Sequence, residues 1–167
     1  MESFRFNHNN EAHAMLFYPV SNPDKIKQRI IDAAKSKGHE ADEEREAVNF
    51  SFVDASLVNE YKKAFLYITE AIRRYGVSDT TKALLVVQIM NSSATTASIS
   101  DVEIKMKKVV NGTIVSFDEL ARLTDWNTVE KYHKLGNEVK EKQDATQARA
   151  FIDNVAVSSV AMKSVMQ

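Results

Sequence analysis

The sequence predicts a mainly α fold, a single-domain multi-helix bundle carrying an extended N-terminal arm. Three observations predict it. Turn formers are scarce, with four glycines and two prolines in the chain, and both prolines (Pro19 and Pro23) lie near its start. Such a chain favours helices joined by short polar loops. Apolar residues recur at helical spacing over long stretches. Residues suited to helix caps stand in front of several of those stretches. The alternative is an α+β fold, with short strands near 47–53 and a hairpin near 102–117.

Residues 1–22 form the arm, and residues 23–167 the helical domain. The arm holds two short apolar runs, Phe4-Arg5-Phe6 and Met15-Leu16-Phe17-Tyr18, separated by a polar stretch. It reads as an extended arm or a pair of short strands. Its aromatics either cap the domain's own core or dock on a neighbouring subunit.

The first helix is expected over 23–37. Asn22 can cap it, Pro23 fits its first position and Gly38 can end it. Glu40 to Glu46 is an acidic run suited to a solvated loop or helix turn. Val48, Phe50 and Phe52 then alternate with polar residues, a short strand-like pattern. A core helix is expected over 55–75, where Leu57, Val58, Tyr61, Phe65, Ile68, Ile72 and Tyr75 share one stripe.

Ala83 to Met90 is apolar on every side apart from Gln88. Periodicity does not separate a buried helix from a buried strand in so short a run. Asn91 to Ser98 reads as a loop. Residues 100–117 carry two competing signals. Val102, Met106, Val109 and Val110 are helically spaced behind a cap at Ser100, whereas Asn111-Gly112 between apolar pairs is a hairpin signal. Helix is preferred, because Glu103 to Lys108 is rich in good helix formers.

Ser116-Phe117-Asp118-Glu119 has the form of a capping box opening a short helix to about Leu123. A further helix is expected from Trp126 to about Lys142, capped by Thr124 or Asp125. A last helix follows Asp144, with Ala148, Phe151, Ile152, Val155, Met162 and Met166 on one side.

The composition narrows the function. With 22 Lys plus Arg against 23 Asp plus Glu the net charge is −1, so no global field draws the chain to nucleic acid or an acidic membrane. Cysteine is absent, which removes disulfides, thiolate metal sites and thiol nucleophiles. The start lacks the apolar core of a signal peptide, and no apolar run approaches a membrane span. The expected location is the cytoplasm, or a virion for a structural subunit.

No catalytic, cofactor-binding or metal-binding residues are predicted, and no cofactor is expected. The glycines at 38, 76, 112 and 136 are isolated, so no phosphate loop exists. Paired carboxylates such as Glu43/Glu44 and Asp118/Glu119 fall in a charge run and a capping box. His8, Glu11 and His13 are metal-ligand types, but their spacing matches no established site. The segment 117–135 has the outline of a helix-turn-helix, with Asp125 where the tight turn usually has glycine. A plain helical corner explains it better.

The function expected is therefore a non-enzymatic protein-interaction or self-assembly role, including that of a viral or phage structural subunit. Its partner is another protein or a second copy of the chain, with no membrane. The candidate partner-binding residues are Phe4, Phe6, Phe17 and Tyr18 of the arm, and Val155, Val160, Met162 and Met166 of the last helix. Small residues and methionines there suit close packing, either into the chain's own core or on another chain. The alternative is a nucleic-acid-binding protein using Lys105, Lys107 and Lys108.

Overall fold

The structure, a computed structural model, describes residues 1–5, 10–58, 76–91, 98–140, 142 and 144–163. It overturns the mainly α expectation. The fold is α+β, built on a five-stranded antiparallel sheet. The strands are β1 (Glu2–Arg5), β2 (Asn10–Val20), β3 (Ser51–Asp54), β4 (Leu84–Asn91) and β5 (Gly112–Val115).

Strand β2 holds the sheet together. On one side it pairs with β4, from Asn10 opposite Asn91 to Phe17 opposite Leu84. On its other side sit two short strands end to end. β1 pairs with Glu11 to Ala14, and β5 pairs with Leu16 to Val20. β3 adds to the far side of β4.

The apolar texture of 83–90 now has its cause. β4 is central, and both faces of the sheet are covered. A strand buried on both faces loses the alternation that betrays a half-buried one. On the first face, Met15, Phe17, Leu84, Val86 and Phe52 meet Ile26 and Ala33 of α1 (Pro23–Lys35) and Val48, which follows α2 (His39–Ala47). Val102, Met106 and Val109 of α3 (Ile99–Val109) complete that layer. On the second face, Ala12, Ala14, Leu16, Val53, Leu85 and Val87 meet Val58, Phe117 and Leu120. Each large side chain so buried contributes about 1.5–3 kcal/mol.

The 100–117 segment obeys both of its signals in turn. Helix α3 ends at Val109, and after Asn111 the chain enters β5. The cap is Ser98 rather than Ser100. Its hydroxyl accepts the Asp101 N–H, and the Asp101 carboxylate accepts the Ser98 N–H at 3.0 Å, a reciprocal capping box. Asn111-Gly112 makes the turn into a strand, but that strand pairs with β2 and not with 102–110.

Ser116 caps a short 3₁₀ turn that continues into α4 (Leu120–Leu123). The Asp125 carboxylate accepts the Thr128 N–H and caps α5 (Trp126–His133). The single helix expected to run on to Lys142 is broken at Lys134, which adopts a left-handed conformation with φ 59°. The Leu135 N–H turns back to the Glu130 carbonyl, the closure that ends helices in this way. Helices α6 (Gly136–Lys140) and α7 (Ala145–Lys163) follow. Val129, Leu135 and Ile152 bury one another in a small third cluster.

Residues 1–5 and 10–20 take the pair-of-strands form of the arm, with β2 innermost. Of the core helix expected over 55–75, the described part is a 3₁₀ turn at Ala55–Leu57 followed by an extended Val58, and the stripe from Tyr61 onward lies outside the described residues.

Candidate protein-interaction surface

Buried polar groups are the first place to look for chemistry. Among the described residues, His13, Asn22, Thr81 and Thr124 are buried, and each has a structural partner. Asn22 donates to the Val109 carbonyl and accepts the Asn111 N–H. The Thr81 hydroxyl donates to Asp54 at 2.7 Å, tying the approach to β4 to the end of β3. The Thr124 hydroxyl donates to the Val58 and Leu120 carbonyls.

His13 lies between Ser3 and Glu11, a trio whose residue types match a nucleophile, a base and an orienting acid. The geometry serves folding instead. Ser3 Oγ and His13 Nδ1 are 2.8 Å apart across the β1–β2 pair. Glu11 Oε2 lies 3.9 Å from His13 Nε2, too far to orient the ring by a hydrogen bond. The contact pins β1 to β2. His8 lies outside the described residues, and among those described no group of three His, Cys, Asp or Glu could hold a metal.

The predicted partner-binding residues divide. Phe17 is 1% exposed and packs in the first core layer. Phe4 is half-buried against the second layer, and its ring meets Phe117 edge-on at 6.5 Å. Tyr18 is half-buried, with the Arg122 guanidinium 5.5 Å from its ring centre. Glu119 accepts from Arg122 and holds that guanidinium's pKa above its ordinary value. Val155 is half-buried beside the third cluster. Val160 and Met162 fall on α7 with undescribed side chains, and Phe6 and Met166 lie outside the described residues.

The lysine trio is largely neutralised. Lys105 reaches across from α3 to Glu46 of α2 at 3.1 Å, and Lys107 pairs with Glu103 one turn back. That pairing, led by the hydrogen bond from Lys107, lowers the Glu103 pKa. Lys108 remains exposed.

The surface that stands out is apolar. The exposed large hydrophobic residues described are Ile89, Ile99, Ile104, Ile114 and Tyr132. Ile89 lies in the second half of β4, Ile99 and Ile104 lie on α3, Ile114 sits in β5 and Tyr132 on α5. All of them come after β3, on the later half of the chain. None of them is among the partner-binding residues expected from sequence, because exposure of an apolar residue depends on which face the fold leaves uncovered. Ile104 illustrates it: on α3 it lies between Val102 and Met106, and those two are buried while it is 51% exposed. Spread over β4, α3, β5 and α5, they are candidate positions for contact with another protein.

Comparison with known proteins agrees. Residues 63–164, more than half of the chain, match the family described as kinase binding protein CGI-121. A protein of Cryptococcus neoformans var. neoformans serotype D (strain JEC21), described as EKC/KEOPS complex subunit CGI121, is 26% identical over 220 residues. The alignment covers 92% of this chain and 93% of that protein. The protein of the same description from strain B-3501A aligns equally well. These descriptions replace the expectation of a viral or phage structural subunit, and they lend no support to self-assembly.

Proposed function

The chain belongs to the CGI-121 family of kinase-binding proteins, and from that premise we propose that it is a non-catalytic subunit of an EKC/KEOPS complex. In this reading it binds a protein kinase through the later half of the chain. One observation carries the proposal. The segment matched by the family, residues 63–164, contains every exposed large hydrophobic residue described, from Ile89 to Tyr132. Isolated exposed apolar residues are ordinary, but their confinement to the family's own segment is what a docking surface would produce. The non-catalytic part is supported by His13, Asn22, Thr81 and Thr124, each of which ties strands or helices together. Its relatives' description supplies the complex.

The test is affinity purification of the tagged full-length chain from its own cells, followed by mass spectrometry and reconstitution from purified components. A protein kinase that co-purifies with EKC/KEOPS subunits, and rebinds the purified chain directly, is the expected outcome. A chain that rebinds no kinase when both are pure sinks the proposal.

A further inference from the structure

Among the described residues, strand β5 is where exposed apolar surface and an open row of backbone groups coincide. Among the described residues it pairs with β2 alone. Gly112, Thr113 and Ile114 are exposed, and Val115 is half-buried. A strand with one neighbour turns every second N–H and C=O outward, which is a template for another strand.

The other edges of the sheet are guarded. At β3, Val53 is bridged from the outer side by Gly76. β1 carries Glu2 and Arg5 at its two ends, and charges of this kind discourage edge pairing. The sequence of β5, Gly-Thr-Ile-Val, has neither charge nor proline. The irregularity in its pairing with β2 lies toward Gly112, between Phe17 and Val20, and leaves Ile114 and Val115 in plain register.

The surroundings state what the added strand must look like. Ile114 stands opposite Phe17 in register, and it is 40% exposed. Helix α3 leads directly into β5, and its exposed side carries Ile104 and, one turn on, Lys108. Lys108 has no ion pair among the described residues, unlike Lys105 and Lys107. Residues four apart on a helix share a face, so an apolar and a basic position sit together just before the strand.

We propose that the outer edge of β5 is where the kinase adds a strand to this sheet. The incoming segment is extended, sets an apolar side chain beside Ile114 and brings a carboxylate to Lys108. The proposal rests on the kinase-binding reading. β5 and α3 both lie inside the segment that the kinase-binding family matches.

The experiment uses the full-length chain and the purified kinase recovered with it. Amide hydrogen exchange is followed with and without the kinase, and affinity is measured for wild type, Ile114→Lys, Lys108→Glu and the control Tyr132→Ala. The expected result is protection of amides in 112–115 on binding, a tenfold or greater loss of affinity for Ile114→Lys and a several-fold loss for Lys108→Glu. Unchanged exchange at 112–115 in a complex that forms with wild-type affinity overturns the edge proposal and leaves kinase binding intact. Absence of any wild-type complex overturns both readings. If Ile114→Lys does not fold, exchange in the wild-type complex still decides.

Discussion

The Asn22 side chain is clamped to the turn at Asn111: its Oδ1 accepts the Asn111 N–H at 2.8 Å, while its Nδ2 donates to the Val109 carbonyl at 3.0 Å. One residue thus caps two events, the end of α3 and the entry to β5. Its position just before α1 ties the start of that helix to the same turn. Asn22→Ala would leave a carbonyl and an N–H without partners in a site where Asn22 itself is 9% exposed. A loss of about 1–3 kcal/mol is expected, read as a lower urea midpoint with an unchanged slope.

Gly112 sits where a side chain has no room. A Cβ there would lie 2.9 Å from the Pro19 carbonyl oxygen and 3.3 Å from the Phe17 Cβ. The nearest obstacle is backbone, which yields less readily than the end of a flexible side chain. Gly112→Ala should therefore cost about 1–3 kcal/mol, the range for overpacking. Thermal denaturation would show it, and a melting temperature equal to wild type would mean that β5 can move off β2 freely.

Helix α3 offers a contrast within two neighbouring residues. Met106 is fully buried in the first core layer, and Met106→Ala should destabilise by about 2–5 kcal/mol through lost burial and the cavity left behind. Lys107 pairs with Glu103 on the exposed face. Lys107→Ala should change stability by less than about 0.5 kcal/mol. Comparable losses for the two would contradict the placement of α3 on the sheet.

The α1–α2 contact supplies a pH dependence. Arg29 Nε donates to Glu44 at 2.6 Å, and this hydrogen bond is the main reason the Glu44 pKa is lowered from 4.5. Because the folded pKa lies below the unfolded one, the stabilisation is fully present above about pH 4.5 and is lost as pH falls through the folded value. Both side chains are more than a third exposed or close to it, at 37% and 35%, so water screens the pair and its worth stays below about 1 kcal/mol. Glu44→Gln should be slightly less stable than wild type at pH 7, and the difference should shrink toward about pH 2 as the Glu44 carboxylate takes up its proton. Denaturation of the two proteins at both pH values checks this.

Local signals were legible where the physics is local. Pro23 at the head of α1, Asp125 capping α5 and Asp144 before α7 all stand where the spacing places them. The partners of β2 were not legible. Its pairing with β4 joins Ala12 to Ile89 and Phe17 to Leu84, and nothing near either residue encodes a partner so far along the chain. The scarcity of Gly and Pro, which favoured an all-helical reading, is met by turns built from Asn22, Asn111 and Lys134 instead.

The candidate surface divides the same way. Taken alone, the sequence determined what chemistry the chain lacks: it has no cysteine and no phosphate loop, and its lysines stand near acids. It also set most helix ends, because caps and amphipathic spacing act over a few residues. The tertiary structure decided which apolar residues are core and which are surface. Phe17 and Ile114 lie opposite each other in register, yet the first is covered by helices and the second is not. That difference arises because β2 has neighbours on both sides and layers on both faces, whereas β5 closes the edge of the sheet.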